Sequence, residues 1–427
     1  MTGLTTMDIN RPKPELLAPA GDLEKLRMAV LYGADAVYLG GKGLSLRAGA
    51  GNFSLEEMAE AISFAHARGV RVYVAVNIFA HNQDLESIPG YLCHLKEMGV
   101  DGLIVSDPGV IALAQEAVPD LPLHLSTQAN SVNWASVRFW ADQGIKRVVL
   151  GRELTLDEIR TIRDKVDTEK KLVELEVFVH GAMCLSYSGR CYLSRYFNRR
   201  DANQGDCSQP CRWRYALMEE KRPGHYLPVE QDERGTYLLS SKDLCLLPHL
   251  PELVASGVNS LKIEGRMKSI HYVATVVRAY RQALDAFWAD PAGYVLDQEL
   301  LAELDKVSHR EYTSAFYMDQ EGSRQAADQT ISLDKGYMRS YDFVGLVLDY
   351  EPATRVIRVE QRGLFRVGDT LEIIGPKSPP FLHTVEAMWN EAGEMIQVAR
   401  HPQEKVTFQI SQPVEPWSLV RRPKHFS

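Results

Sequence analysis

One signature recurs along the first two-thirds of the chain: a helical stretch closes on a glycine, and an apolar strand follows at once. It reads LYGADAV at Leu31–Val37, MGVDGLI at Met98–Ile104, DQGIKRV at Asp142–Val148 and ASGVNS at Ala255–Ser260. A glycine at that place supplies the left-handed cap that ends a helix, and Gly33, Gly69, Gly99 and Gly144 all stand there. Strands are expected at Glu15–Ala18, Ala36–Gly40, Arg71–Asn77, Gly102–Asp107, Leu123–Ser126, Arg147–Leu150, Leu175–His180 and Ser260–Glu264. Their apolar runs suit parallel strands covered on both faces. Between them, Ser54 with Glu57 and Thr155 with Glu158 have the spacing of capping boxes, which mark helix starts. Eight strand–helix units predict a (β/α)8 TIM-like barrel. A doubly wound sheet is the alternative, with Tyr237–Ser241 as a ninth strand or another eighth.

At 427 residues the chain exceeds what one core usually supports. The barrel is expected over 13–290, with a cysteine-rich insertion and connection at 182–257. A linker and helical extension follows at 291–340. From residue 341 to 427 the runs FVGLVLDY, RVIRVE, LEIIG, MIQVA and VTFQI alternate in period two between Gly, Pro and charged turns. That pattern predicts a small C-terminal β-barrel domain. No run of apolar residues is long enough to span a membrane, and the opening segment lacks the apolar core of a signal peptide. A cytoplasmic protein with no membrane partner is the expectation. The net charge of -8 argues against broad, nonspecific DNA binding but leaves room for a local phosphate-binding patch.

Four of the six cysteines cluster as C184-x6-C191-x15-C207-x3-C211. Cys184, Cys191, Cys207 and Cys211 are the right number for a tetrahedral zinc site or one iron–sulfur cluster, and their spacing separates neither. Cys93 is expected to pack within a helix. Arg190, Arg195, Arg199, Arg200, Arg212 and Arg214 surround the clustered thiols against only Asp201 and Asp206. A basic, metal-bearing loop points to nucleic-acid chemistry. It also follows the C-terminal end of a barrel strand, the face on which such barrels place their active sites.

Other strand ends supply further candidates: Asn77 with His81, Ser106 with Asp107, Ser126 with Thr127 and Gln128, Arg152 with Glu153, and His180. Arg47 lies in the loop after the second strand. Lys262, Glu264 and Arg266 alternate in LKIEGR, which puts all three on one face of the last strand. Burying three charges there requires partners, so they are expected to pair with one another and with a ligand. Cations outnumber carboxylates in this set, which suits an anionic ligand. His180 is a candidate acid–base group, or one that tunes a metal through a hydrogen bond. The chain contains no HExxH, GxSxG, P-loop or GxGxxG motif.

PELLAPAGDLEKLRMAVLYGADAVYLGG, VSDPG, HLSTQANSVNW and EVFVHGAMCLSYSGRCYLSRYFNRRDANQGDCSQPCRW resemble peptidase family U32, the collagenase-like proteins. The resemblance covers nearly the whole chain. SSKDLCLLPHL and SLKIEGRMKS, with the small C-terminal β domain, are most like its tRNA-hydroxylating branch. The resemblance implies prephenate-dependent hydroxylation of the wobble uridine in the tRNA anticodon stem-loop, forming 5-hydroxyuridine without molecular oxygen. It implies a [4Fe-4S] cluster on Cys184, Cys191, Cys207 and Cys211, with zinc the alternative. On this reading His180, Glu264 and Lys262 are catalytic, and Arg47, Asn77, Gln128, Arg152 and Arg266 bind substrate. Arg190, Arg195, Arg199, Arg200 and Arg212 bind RNA. The rival expectations are a peptidase of unconventional mechanism, a 23S rRNA cytidine hydroxylase, and a noncatalytic RNA-binding factor.

Overall fold

The computed structural model describes residues 11–42, 45, 51–184, 193–200, 207–210, 231–232, 235–236, 241–319 and 337–424. Eight parallel strands close into a barrel. They are β1 (Glu15–Pro19), β2 (Ala36–Gly40), β3 (Arg71–Val76), β4 (Gly102–Val105), β5 (Leu123–Leu125), β6 (Arg147–Val149), β7 (Glu174–Ala182) and, beyond the insertion, β9 (Ser260–Ile263). Strands β1 to β7 pair in sequence order, and β9 pairs with both β1 and β7, which seals the ring and excludes the doubly wound sheet. One further strand, β8 (Asp243–Cys245), runs antiparallel along the end of β7, with Asp243 opposite Ala182 and Cys245 opposite His180. Of the extra strand expected at Tyr237–Ser241, only Ser241 is among the described residues.

The helices form where their end signals stand. Around the barrel run α1 (Leu23–Leu31), α2 (Leu55–His66), α3 (Ile88–Glu97), α4 (Pro108–Ala117), α5 (Trp134–Asp142) and α6 (Leu156–Thr168). Short α7 (Leu193–Asn198) and α8 (Leu250–Ala255) follow, then the long α9 (Ile270–Ala289) and α10 (Gln298–Leu304). Both expected capping boxes are present, at Ser54 with Glu57 and at Thr155 with Glu158. Gly33, Gly69, Gly99 and Gly144 all take positive φ at helix ends. Cys93 lies on α3 as expected, but it is exposed rather than packed.

A large apolar core fills the layer between strands and helices, whereas among the described residues the apolar cluster inside the barrel is small, made of Leu17, Ala36, Tyr38, Tyr73, Ala75 and Ile104. Charged side chains fill the rest of the barrel axis. The C-terminal domain is an antiparallel half-barrel with its own core around Val344, Ile357, Phe365, Leu371 and Phe408. It docks on the outer helices. The Tyr32 hydroxyl, at the end of α1, reaches the carbonyls of Ile374 (2.9 Å) and Trp417 (3.0 Å). Arg421 is fully buried between Glu303 of α10 and Glu372.

Candidate active site

A pocket opens at the C-terminal ends of the strands. Its walls are Tyr38, Ala75, Asn77, Ile104, Ser126, Thr127, Gln128, Arg152, Phe178, Cys184, Lys262, Glu264 and Arg266. Its volume of about 80 Å³ holds on the order of six water-sized groups, which is the scale of one small ring. Among the described residues, three cations and one carboxylate face it, a balance that favours an anion.

Each polar wall is fixed by its neighbours. Asn77, just past β3, donates to the Gln128 side-chain oxygen at 2.8 Å, and the Ser126 hydroxyl donates to the same oxygen at 2.9 Å. The Gln128 amide nitrogen returns a bond to the Asn77 carbonyl at 3.2 Å, so its orientation is locked. Arg152, past β6, is buried, donates from Nη1 to the Ala182 carbonyl at 2.9 Å and lies over the Phe178 ring. Arg266 donates to Ser45 Oγ at 2.6 Å and to the Asn52 side-chain oxygen. A Cβ at Gly40 would collide with Arg266 and Ser45, so only glycine leaves this guanidinium its place. Arg47 lies outside the described residues.

Lys262 forms the floor. Its ammonium pairs with Glu176 at 2.8 Å and sits over the rings of Tyr38 and Phe178. Lys262, Glu264 and Arg266 were expected to pair with one another and with a ligand; for Lys262 the structure adds a partner from outside that set, Glu176 of β7. Glu176 also meets Arg147 at 3.2 Å, Arg147 meets Glu15, and Glu15 meets Arg71 at the far end of the barrel. Alternating charges therefore run the length of the axis. Burial alone would raise the Glu176 carboxyl, but Lys262 and Arg147 override it and hold it down at about 2. Glu264 is half-buried at the rim, with Oε2 3.5 Å from the Tyr38 hydroxyl.

His180 does not line the pocket. Strict alternation along β7 would place it on the face of Glu176 and Phe178, but the β7–β9 register shifts between Lys262 and Ile263. Such a slip sends a side chain to the other face. His180 instead lies among Tyr272, Tyr280 and Tyr312, with Nε2 lacking a hydrogen-bond partner, and burial pushes its pKa down to about 3. It is a neutral group sealed behind the pocket wall.

Two of the clustered cysteines are described. Cys184 follows β7 at the pocket edge and Cys207 precedes a short turn; both are exposed and free of disulfides. The Gln209 amide donates to Cys207 Sγ at 3.3 Å. The Ser194 hydroxyl, on α7, lies 3.0 Å from that of Ser208, so α7 meets the segment that carries Cys207. Exposed, amide-bonded sulfur suits a soft metal. Cys191, Cys211, Arg190 and Arg212 lie outside the described residues, as does the side chain of Arg195. Arg199 and Arg200 are exposed just after α7.

Sequence reasoning singled out neither Tyr38 and Phe178 as walls nor Glu176 as the floor's counter-ion. Glu176 had one signal, a carboxylate at an inward position of an apolar strand, whereas inward aromatics such as Tyr38 read as ordinary core.

Residues 21–327 match peptidase family U32, and residues 339–421 match the peptidase family U32 C-terminal domain. The chain is 44% identical over 412 residues to tRNA hydroxylation protein P1 of Bacillus subtilis, covering 96% of this chain and 95% of that protein. It is 41% identical over 428 residues to tRNA hydroxylation protein P of Escherichia coli, covering 91% of each. The protein of that name from Haemophilus influenzae is 37% identical over 431 residues, again covering 91% of each.

Proposed function

The chain belongs to peptidase family U32, and from that premise we propose that it is a tRNA-modifying hydroxylase converting the wobble uridine to 5-hydroxyuridine with prephenate as cosubstrate. The observation that carries this reading is the pocket itself: among the described residues, Arg152, Lys262 and Arg266 converge on it against the carboxylate of Glu264. A small dicarboxylate satisfies that charge balance. Arginine forks at Arg152 and Arg266 hold its carboxylates, and the Lys262 ammonium is a fixed charge beneath them. The Asn77–Gln128 amide pair offers hydrogen bonds to a base edge or a hydroxyl. An anticodon-loop base is unpaired, so bringing it to the mouth of the pocket, against the ring held inside, costs little. Glu264, at the rim, is the carboxylate placed to hold or move a proton beside a bound base. His180, sealed away from the pocket, keeps no part in that transfer.

Cys184, Cys191, Cys207 and Cys211 are the residues that would hold a [4Fe-4S] cluster, which when bound supplies one-electron transfer. The exposed thiols at Cys184 and Cys207 fit that role; zinc is the other metal the donor set accepts. Arg199 and Arg200, with the arginines around them, hold the anticodon stem-loop by its phosphates.

The test is nucleoside mass spectrometry of tRNA from a strain lacking this gene and any second enzyme of this activity. Loss of 5-hydroxyuridine and its derivatives is expected, with recovery on supplying the wild-type chain and none with Arg266→Met. Unchanged 5-hydroxyuridine in the deletion strain overturns the proposal. Loss of hydroxycytidine from ribosomal RNA in its place moves the substrate to rRNA.

A further inference from the structure

The end of β7 is gripped from every side. Arg152 donates to the Ala182 carbonyl at 2.9 Å, and the Ser241 hydroxyl donates to the Met183 carbonyl at 2.6 Å. A Cβ at Gly181 would lie 2.5 Å from the Glu264 carbonyl, so β7 and the chain after β9 are in close contact there. Ala182 pairs with Asp243 of β8. The next residue beyond Met183 is Cys184, exposed at the pocket edge.

Strand β8 has few residues and is held by charge. Asp243 Oδ1 accepts from Arg310 Nε at 2.9 Å and Nη2 at 2.7 Å, and Oδ2 accepts from the Arg310 backbone amide at 3.2 Å. The Asp243 amide donates to the Glu311 carbonyl at 2.9 Å, and β8 pairs in parallel with Tyr312–Thr313. Ser241, Asp243 and Arg310 are all buried, and none lines the pocket. A buried ion pair returns little net stability against an apolar replacement of equal size. What this pair does give is a fixed position for the strand end beside it.

We propose that Asp243 and Ser241, anchored by Arg310, are positioning residues for Cys184: they hold the last residues of β7 so that its thiol is presented to a metal centre at the pocket edge. The inference deepens the proposed function and rests on Cys184 serving there as a metal ligand. Residues that orient a ligand without touching the metal commonly govern its retention.

The experiment uses the full chain purified anaerobically, as wild type, Ser241→Ala and Asp243→Asn. Iron and sulfide per chain are measured under chelator challenge. In parallel, iodoacetamide labelling followed by peptide mass spectrometry gives the alkylation rate of Cys184 relative to Cys93, an exposed thiol on α3 that serves as internal reference. Both variants are expected to lose iron about tenfold faster than wild type, and the Cys184-to-Cys93 ratio is expected to rise. Thermal melting checks that the variants fold. Ser241→Ala removes a single hydroxyl and leaves the Asp243–Arg310 pair intact, so it serves if Asp243→Asn does not fold. Wild-type iron retention with an unchanged labelling ratio in a folded variant overturns the proposal. Wild-type protein without iron or zinc defeats the metal reading alone, and the labelling ratio then decides the clamp by itself.

Discussion

Lys262 owes its place to Glu176, and neither can be altered alone without leaving a charge stranded in the barrel. Glu176→Gln is expected to cost about 3–5 kcal/mol of stability, read by urea unfolding at neutral pH; Lys262→Met combined with Glu176→Leu should recover much of that loss. Acid acts on the same pair. Because the folded Glu176 carboxyl titrates at about 2, below its ordinary 4.5, its contribution is complete above about pH 4.5 and is lost as pH falls towards 2. Burial holds His124, His180 and His271 neutral, each with its pKa lowered to about 3 from 6.5. The unfolded chain takes up those protons below pH 6.5, so each histidine withdraws up to about 1.4 kcal/mol per pH unit as the medium acidifies. His180→Phe should flatten the stability–pH slope between pH 6 and 4 by about that amount; an unchanged slope would show that the ring is protonated in the fold. Gly40→Ala, which crowds Arg266 and Ser45, should cost about 1–3 kcal/mol in thermal unfolding and weaken binding of the anion proposed for the pocket.

Among the elements, the caps and the arginine loop make separate predictions. Ser54→Ala breaks one capping box on an exposed helix start and should cost about 1 kcal/mol in thermal unfolding, with the pocket intact. Arg199→Ala with Arg200→Ala should reduce the slope of log affinity for an anticodon stem-loop against log salt by roughly 0.7 for each phosphate left without its cation; an unchanged slope would take those arginines off the RNA. The eight barrel strands were legible because apolar runs between helix caps allow few other folds. Asn77, Gln128, Arg152 and Arg266 were legible as pocket residues because a strand's C-terminal end is a position that sequence can mark. Tyr38 and Phe178 were not, since an inward aromatic in an apolar run reads like any core residue. Glu15, Arg147 and Glu176 gave no sign of being linked, because their contacts join strands far apart in the chain. His180 was misplaced because a one-residue register shift between β7 and β9 leaves no trace in the composition of either strand.

Across the whole molecule, the C-terminal half-barrel is fastened to the larger barrel by buried and half-buried polar contacts. Tyr32 meets two carbonyls of the smaller domain, Arg278 donates to the Ser378 carbonyl at 3.0 Å, and Arg362 pairs with Glu24. Arg421 is the most committed of these, with its charge shared between Glu303 and Glu372. Arg421→Ala is expected to cost about 3–5 kcal/mol and to separate the melting of the two domains in calorimetry; a single unshifted transition would show that the interface does not depend on it. Among the described residues, no helix is long and apolar enough to cross a membrane.

The file of charges from Arg71 to Lys262 also limits how such a barrel can diverge. A lineage that discards the acid at position 176 while keeping the amine at 262 inherits a stranded cation, so tolerated changes must come as matched exchanges. Descendants that have lost one of the two should have lost the other.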